Sequence, residues 1–199
     1  MLFFPDYELR MPTSKISKKI DIEKEPEEWE EIYGTNCYAY ALGLDVFERS
    51  IANFAYQPGT IGRIKYEYGL FDVSRMSFEK RMKLDFESLG IRYRGANPEE
   101  CASFKEHFHR DSDEVSSVTR SWLISFYTAV DNNIDFHFVR KDLSGVWTHK
   151  MGFKEAPTNK DSNGEIILDP RECHFNGFKY VKTYRLTLNQ KSRCTYGRF

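Results

Sequence analysis

The chain has 199 residues, of which 40% are hydrophobic, 16% aromatic and 30% charged, a composition typical of one folded domain that excludes disordered and collagen-like classes. Its 29 Lys and Arg against 30 Asp and Glu leave a formal net charge of -1, so no overall positive field attracts phosphate groups or anionic lipid. We therefore expect neither nucleic acid nor membrane as a principal partner. The sequence gives no indication of the oligomeric state.

The cysteines and the start of the chain bear on the cellular compartment. Cys37, Cys101, Cys173 and Cys194 are far apart in a chain too large to need disulfides for its stability. Residues 1–4 form a short apolar run without the basic segment and cleavage site of a secretory signal. The sequence therefore predicts reduced thiols in a cytoplasmic protein, which could reach another cell, or be released by lysis, without a signal peptide.

Two units are expected along the chain: a charged N-terminal lead-in over residues 1–32 and a single α+β domain over residues 33–199. At the start of the domain, Asn36 can cap a short buried helix that begins at about Cys37, and Gly43 can end it. The helix therefore places a cysteine in its first turn.

Further helices are predicted before the chain becomes strand-like. Residues 50–72 contain prolines and glycines without a clear period and indicate a loop. Residues 77–89 have apolar side chains at helical spacing, and Gly90 follows them. The pattern over residues 97–108 predicts another helix, with Cys101 in its buried face and His107-Phe108-His109 at its polar end.

After residue 119 the sequence predicts an antiparallel sheet. Residues 122–127 form an aromatic and β-branched run typical of a central strand. Residues 135–142 and 146–150 form a hairpin in which Gly145 takes a left-handed conformation. Two more strands are expected, over residues 165–168 and residues 178–188.

A nucleophilic site is the most specific chemical hypothesis. A thiol of ordinary pKa, about 8.5, is mostly protonated at neutral pH, and the first turn of a helix favours its thiolate. If Val139 lies opposite His149, then His137 and His149 share one face of the hairpin. We expect the Cys37 sulfur within hydrogen-bond reach of the His137 ring, although each residue alone also fits an ordinary structural role.

The register decides which group completes the site. A slip of one residue, with Lys141 opposite Val146, turns His149 to the other face. Asp169 would then be the better candidate for orienting His137, although an Asp before Pro170 is also a common way to start a turn. The sequence leaves both possibilities open.

The motifs Asn36-Cys37-Tyr38-Ala39, His137-Phe138-Val139-Arg140 and Trp147-Thr148-His149 resemble those of NlpC-type thiol peptidases. The hairpin also resembles uncharacterised small bacterial and phage proteins. The first resemblance implies a papain-like fold, in which a helix that carries the nucleophile packs on an antiparallel sheet. It also implies that Cys37 is the nucleophile, His137 the base and acid, and His149 the group that orients His137.

The resulting expectation is a cysteine-dependent amide hydrolase of a peptide or protein, acting as a peptidase, isopeptidase or deamidase. The alternative is a non-enzymatic, partner-binding phage or secreted bacterial protein on a papain-like frame. Cysteines and histidines elsewhere lack the paired spacings of zinc sites, and no phosphate-binding glycine motif occurs. No metal or cofactor is therefore predicted.

Overall fold

The structure is a computed structural model that describes several segments of the chain. The predicted lead-in of residues 1–32 and most of the loop predicted over residues 50–72 lie outside these segments. The described residues are 36–43, 57–59, 61, 77–103, 107–110, 117–131, 135–141, 145–152 and 155–191.

The described residues form three helices and six strands, an α+β arrangement. The helices are α1 (Cys37–Leu42), α2 (Phe78–Leu89) and α3 (Pro98–Ser103). The strands are β1 (Ile91–Gly95), β2 (His107–Arg110), β3 (Ser117–Ala129), β4 (Phe136–Lys141), β5 (Trp147–His149) and β6 (Phe178–Lys191). None of these helices combines the length and apolar character that a membrane crossing requires.

All strand pairs in the described sheet are antiparallel, in the order β1-β6-β3-β4-β5, and β2 pairs with β3 beside this series. The long strands β3 and β6 form the centre of the sheet, with a register shift between Phe126 and Tyr127. The strands predicted over residues 122–127 and 178–188 are thus confirmed, and both are longer than expected.

The predicted helix boundaries of α1 and α2 are confirmed by their caps. The Asn36 side chain accepts a hydrogen bond from the Ala39 N–H, and Gly43 ends α1 in the left-handed conformation. Ser77 caps α2, and Gly90 ends it in the same conformation. Side-chain acceptors at the start and a left-handed glycine at the end supply the partners that terminal peptide groups lack.

The hairpin register is the one that places the two histidines on one face. Val139 pairs with His149, and Lys141 pairs with Trp147 rather than with Val146. Gly145 has a φ of 86°, as the predicted turn requires. The alternative register, in which His149 faces away from His137, is therefore wrong.

Two predictions about secondary structure are wrong. The helix expected over residues 97–108 ends at Ser103, and His107-Phe108-His109 belong to β2, whose backbone pairs with β3. Pairing with a long central strand overrides the local helical pattern. The strand expected over residues 165–168 is replaced by an isolated bridge between Ile166 and Lys160. The Asp161 carboxylate accepts hydrogen bonds from nearby backbone N–H groups and holds this segment in a turn.

The sheet is covered on both faces, and this determines which residues can meet. One face packs against α1 and α2, and its buried residues include Tyr38, Phe86, Phe126 and Phe138. The other face is covered by a smaller cluster comprising Cys101, Leu123, Tyr127, Val139, Trp147, Ile167 and Phe175. Successive side chains of a strand point to opposite faces, so neighbouring residues of β4 belong to different clusters.

Candidate active site

Cys37 is the first residue of α1 and lies against the backbone of β4. Its sulfur donates a long hydrogen bond to the Phe136 carbonyl, with Sγ to O at 3.9 Å, and it is also influenced by the Phe138 N–H. The Phe136 carbonyl and the Phe138 N–H belong to the residues immediately before and after His137. The last residue pair between β4 and β5 joins Val139 to His149, so β5 does not pair with residues 136–138 of β4. The sulfur therefore lies beside the strand segment that carries His137.

The His137 ring lies on the face of β4 away from α1. Its centroid is 4.8 Å from that of Phe175, 5.8 Å from that of Phe178 and 6.3 Å from that of Tyr127. The prediction that the Cys37 sulfur lies within hydrogen-bond reach of the His137 ring is therefore wrong, because β4 separates the two side chains. The structure thus brings Cys37 to the backbone of β4, whereas the His137 ring is turned to the opposite face.

His137 and His149 form a buried hydrogen-bonded pair. Their nitrogens Nε2 and Nδ1, respectively, are 2.9 Å apart, and His149 Nε2 lies 2.8 Å from the Lys160 carbonyl oxygen. A carbonyl oxygen only accepts, so His149 carries its proton on Nε2. In the neutral ring Nδ1 then accepts, and His137 must donate from Nε2. This leaves Nδ1 of His137 as an acceptor.

The loop after β5 holds this pair in place. The backbone of His149 exchanges hydrogen bonds with that of Thr158, at 2.9 Å in each direction. The Asp161 carboxylate accepts from the backbone N–H groups of Asn163, Glu165 and His174, and so fixes the loop that presents the Lys160 carbonyl. The contribution of this loop was not predicted from the sequence.

Burial keeps both candidate catalytic groups neutral. Burial raises the pKa of the Cys37 thiol to about 12, with the Phe138 N–H lowering it and Asp135 raising it. Burial lowers the pKa of His137 to about 3, and His149 lowers it further. Proton transfer from this thiol to this imidazole is therefore uphill by on the order of 10 kcal/mol.

Asp169, the alternative orienting residue, is engaged elsewhere. Its carboxylate accepts from the backbone N–H and the guanidinium of Arg171, which holds the pKa of the carboxyl below its usual range. His149, in contrast, is hydrogen-bonded to the His137 ring. The contacts therefore favour His149 over Asp169.

Lys150 is a buried charged residue beside the candidate site that sequence reasoning missed. It is fully buried, and its Nζ donates to the Gly152 carbonyl at 2.5 Å. Burial lowers its pKa, while Cys37 and Glu155 act in the opposite direction. A lysine after a strand is normally exposed, so no signal in the sequence could have identified it.

Comparison with known proteins yields one partial similarity. No family model and no solved structure matches the chain. A stretch of 37 residues is 51% identical to part of the insoluble matrix shell protein 1 of Ruditapes philippinarum. This stretch covers 19% of the chain and 24% of that protein, so the chain spans about a quarter of the length of its relative.

Proposed function

We propose that this protein is a cysteine-dependent amide hydrolase, a peptidase, isopeptidase or deamidase with a papain-like arrangement. Cys37 is the nucleophile, His137 the general base and acid, and His149 the residue that orients His137. The observation that carries the proposal is the histidine pair, which is fixed by the Lys160 carbonyl and leaves one His137 nitrogen as a proton acceptor.

The chain of hydrogen bonds supports a base of defined tautomer. A general base must present a lone pair to its substrate or nucleophile, and its other nitrogen must be held by a neighbour. The Lys160 carbonyl fixes the proton of His149, which in turn fixes the proton of His137. An ordinary core histidine needs only satisfied hydrogen bonds, whereas this pair leaves the Nδ1 of His137 available.

The position of the nucleophile gives independent support. Cys37 begins a helix that packs on an antiparallel sheet, and its sulfur lies beside the part of β4 that carries His137. The peptide N–H groups of the first helical turn favour a thiolate and can stabilise a developing oxyanion. A helix that begins with a cysteine and packs on an antiparallel sheet is one part of the arrangement that the resemblance to NlpC-type peptidases implies.

The reaction follows from these roles. His137 takes the thiol proton at Nδ1, and the Cys37 sulfur attacks the carbonyl carbon of the amide. The C–N bond breaks, and the leaving amine receives the proton from His137. A water molecule, deprotonated by His137, then hydrolyses the thioester and regenerates the thiol. No oxidant, metal or cofactor enters this sequence.

Activation requires a change from the resting geometry. The sulfur has to leave the Phe136 carbonyl and approach His137 Nδ1, and because the His137 ring lies on the other face of β4, this needs a rearrangement of the β4 backbone at His137 and not side-chain rotation alone. Catalytic hydrogen bonds are often long or absent without substrate and form in the substrate complex. The proposal therefore includes a substrate-dependent closing of the Cys37–His137 distance.

Acyl transfer to Cys37 tests the proposal without knowledge of the natural substrate. The expected result with p-nitrophenyl acetate is a burst of nitrophenolate and an acetyl group on the Cys37 peptide in mass spectrometry. Both should be lost in Cys37→Ser and His137→Ala and retained in His174→Ala, where an exposed histidine is changed. An undiminished burst in Cys37→Ser would show that the chemistry lies elsewhere.

A second candidate, a partner-binding role without catalysis, is favoured by the 37-residue similarity to a protein named for an insoluble shell matrix. In that case the histidine pair is a structural element of the second core cluster. Absence of any acetyl group on Cys37, together with unchanged folding of Cys37→Ser and His137→Ala, would favour this candidate over the hydrolase.

A further inference from the structure

The carbonyl that bonds to His149 belongs to a turn that is held by Asp161. Oδ1 of this side chain accepts from the backbone N–H groups of Asn163 and Glu165, at 2.9 and 3.1 Å. The Asp161 N–H donates to the Glu165 carbonyl at 2.8 Å. In a trans peptide the N–H of one residue and the C=O of the residue before it point in opposite directions. The turn therefore directs the Lys160 carbonyl away from Glu165, and that carbonyl meets His149 Nε2 at 2.8 Å.

The second oxygen of the carboxylate connects this turn to the segment that packs on the histidine rings. Oδ2 accepts from the His174 N–H at 3.0 Å, and the Ser162 N–H donates to the His174 carbonyl at 2.9 Å. The next residue is Phe175, whose ring centroid lies 4.8 Å from the centroids of both histidine rings. Asp161 therefore joins the two parts of the loop that contact the histidine pair.

The protons of the histidine pair have two possible arrangements. With the Lys160 carbonyl as acceptor, His149 carries its proton on Nε2 and His137 donates from Nε2, which leaves His137 Nδ1 as an acceptor. Without that carbonyl, His149 can carry its proton on Nδ1 and donate to His137 Nε2. His137 then carries its own proton on Nδ1, the atom that has to take the thiol proton. A working base exists only in the first arrangement.

We propose that Asp161 is a positioning residue that selects the first proton arrangement by holding the Lys160 carbonyl against His149. This inference rests on the proposed function and extends it from the histidine pair to the loop. The three hydrogen bonds to the Asp161 carboxylate come from backbone N–H groups, so the residue acts through the loop backbone. It stabilises the tautomer that His137 needs and does not itself transfer a proton.

NMR spectra of the isotope-labelled ring nitrogens test this role without a substrate, because they distinguish protonated from unprotonated nitrogens. In the wild type, Nε2 should be protonated and Nδ1 unprotonated at both His137 and His149. Asp161→Ala should shift the ratio of the two arrangements about fivefold toward the second, the effect of losing one hydrogen bond. Asp161→Asn retains an oxygen for the two N–H groups of the turn and should keep most of the wild-type pattern. Glu172→Ala removes an exposed carboxylate of the same loop and should keep all of it.

Acetyl transfer to Cys37 gives a second readout. In Asp161→Ala its rate constant should fall with KM unchanged, because a fraction of the molecules lacks the base while substrate binding is not affected. Wild-type nitrogen signals in Asp161→Ala would overturn the role of Asp161 and leave the hydrolase standing. If Asp161→Ala does not fold, Asp161→Ser replaces it, since a hydroxyl forms the same turn more weakly, and wild-type signals there would overturn the role as well. Failure of acetyl transfer in the wild type would instead refute the proposed function.

Discussion

Acid should destabilise this fold through the buried histidine pair. His137 is only 2% exposed, and burial lowers its pKa to about 3 from an ordinary value of 6.5. The unfolded chain therefore binds a proton at a higher pH than the folded chain does. The contribution of His137 to the free energy of unfolding is fully present above pH 6.5, its pKa in the unfolded chain. This contribution is lost as the pH falls from 6.5 toward 3. The pKa of His149 is lowered by the same cause and acts in the same direction.

The size of the effect follows from these two values. Near pH 5 the unfolded state holds about one more proton at His137 than the folded state, which gives a slope of about 1.4 kcal/mol per pH unit. Between about pH 7.5 and pH 4, His137 alone removes about 3 kcal/mol from the free energy of unfolding. This is a large fraction of the stability of an ordinary domain.

Urea denaturation at a series of pH values measures this loss directly. His137→Gln keeps a donor for His149 and removes the titrating ring, so it should lose about 3 kcal/mol less than the wild type over this interval. His174→Gln changes an exposed histidine and should follow the wild-type curve. Equal losses in the wild type and His137→Gln would refute the reasoning, because His137 would then not be a buried neutral base.

Three further outcomes are expected. Cys37→Ser should abolish acetyl transfer and change the free energy of unfolding by less than about 1 kcal/mol in urea denaturation, since oxygen for sulfur is a small volume change. His149→Ala should reduce turnover of an ester substrate and leave measurable activity, and His149→Asn should restore part of the loss. Asp169→Ala should match the wild type. The reverse order of effects would refute the orienting role of His149. Tyr38→Phe removes the donor at 2.8 Å from the buried Asp85 carboxylate, and should cost about 1–3 kcal/mol of stability without abolishing acetyl transfer to Cys37.

The sequence was sufficient for the local features with strong signals. Caps at Asn36 and Gly43 defined α1, and Gly145 with the alternation on either side defined the hairpin register. Such signals act over a few residues and do not depend on distant contacts. The contact between His137 and His149 followed from that register.

The direction of the His137 ring relative to Cys37 could not be predicted. β4 reads Phe136-His137-Phe138-Val139, an almost continuous apolar run, because both faces of the sheet are covered. Such a run gives no preference for one face. Which face α1 covers depends on packing with α2 and the central strands, over long sequence distances.

Other differences also arise from long-range contacts. β2 forms because its backbone pairs with that of β3, although the local sequence pattern is helical. β1 has only Ile91 fully buried and alternates with exposed arginines at 92 and 94, so it carried no recognisable strand signal.

Acetylation of Cys37 in the presence and absence of His137 tests the central claim most directly. Native protein is treated briefly with p-nitrophenyl acetate at neutral pH, and acetylation of the Cys37 and Cys101 peptides is quantified by mass spectrometry. Cys101 is a second buried cysteine, 2% exposed against 7% for Cys37, and lies outside the site. The account predicts that Cys37 is acetylated, that Cys101 is not, and that His137→Ala abolishes acetylation of Cys37. Equal acetylation of the two cysteines, unchanged by His137→Ala, would contradict it.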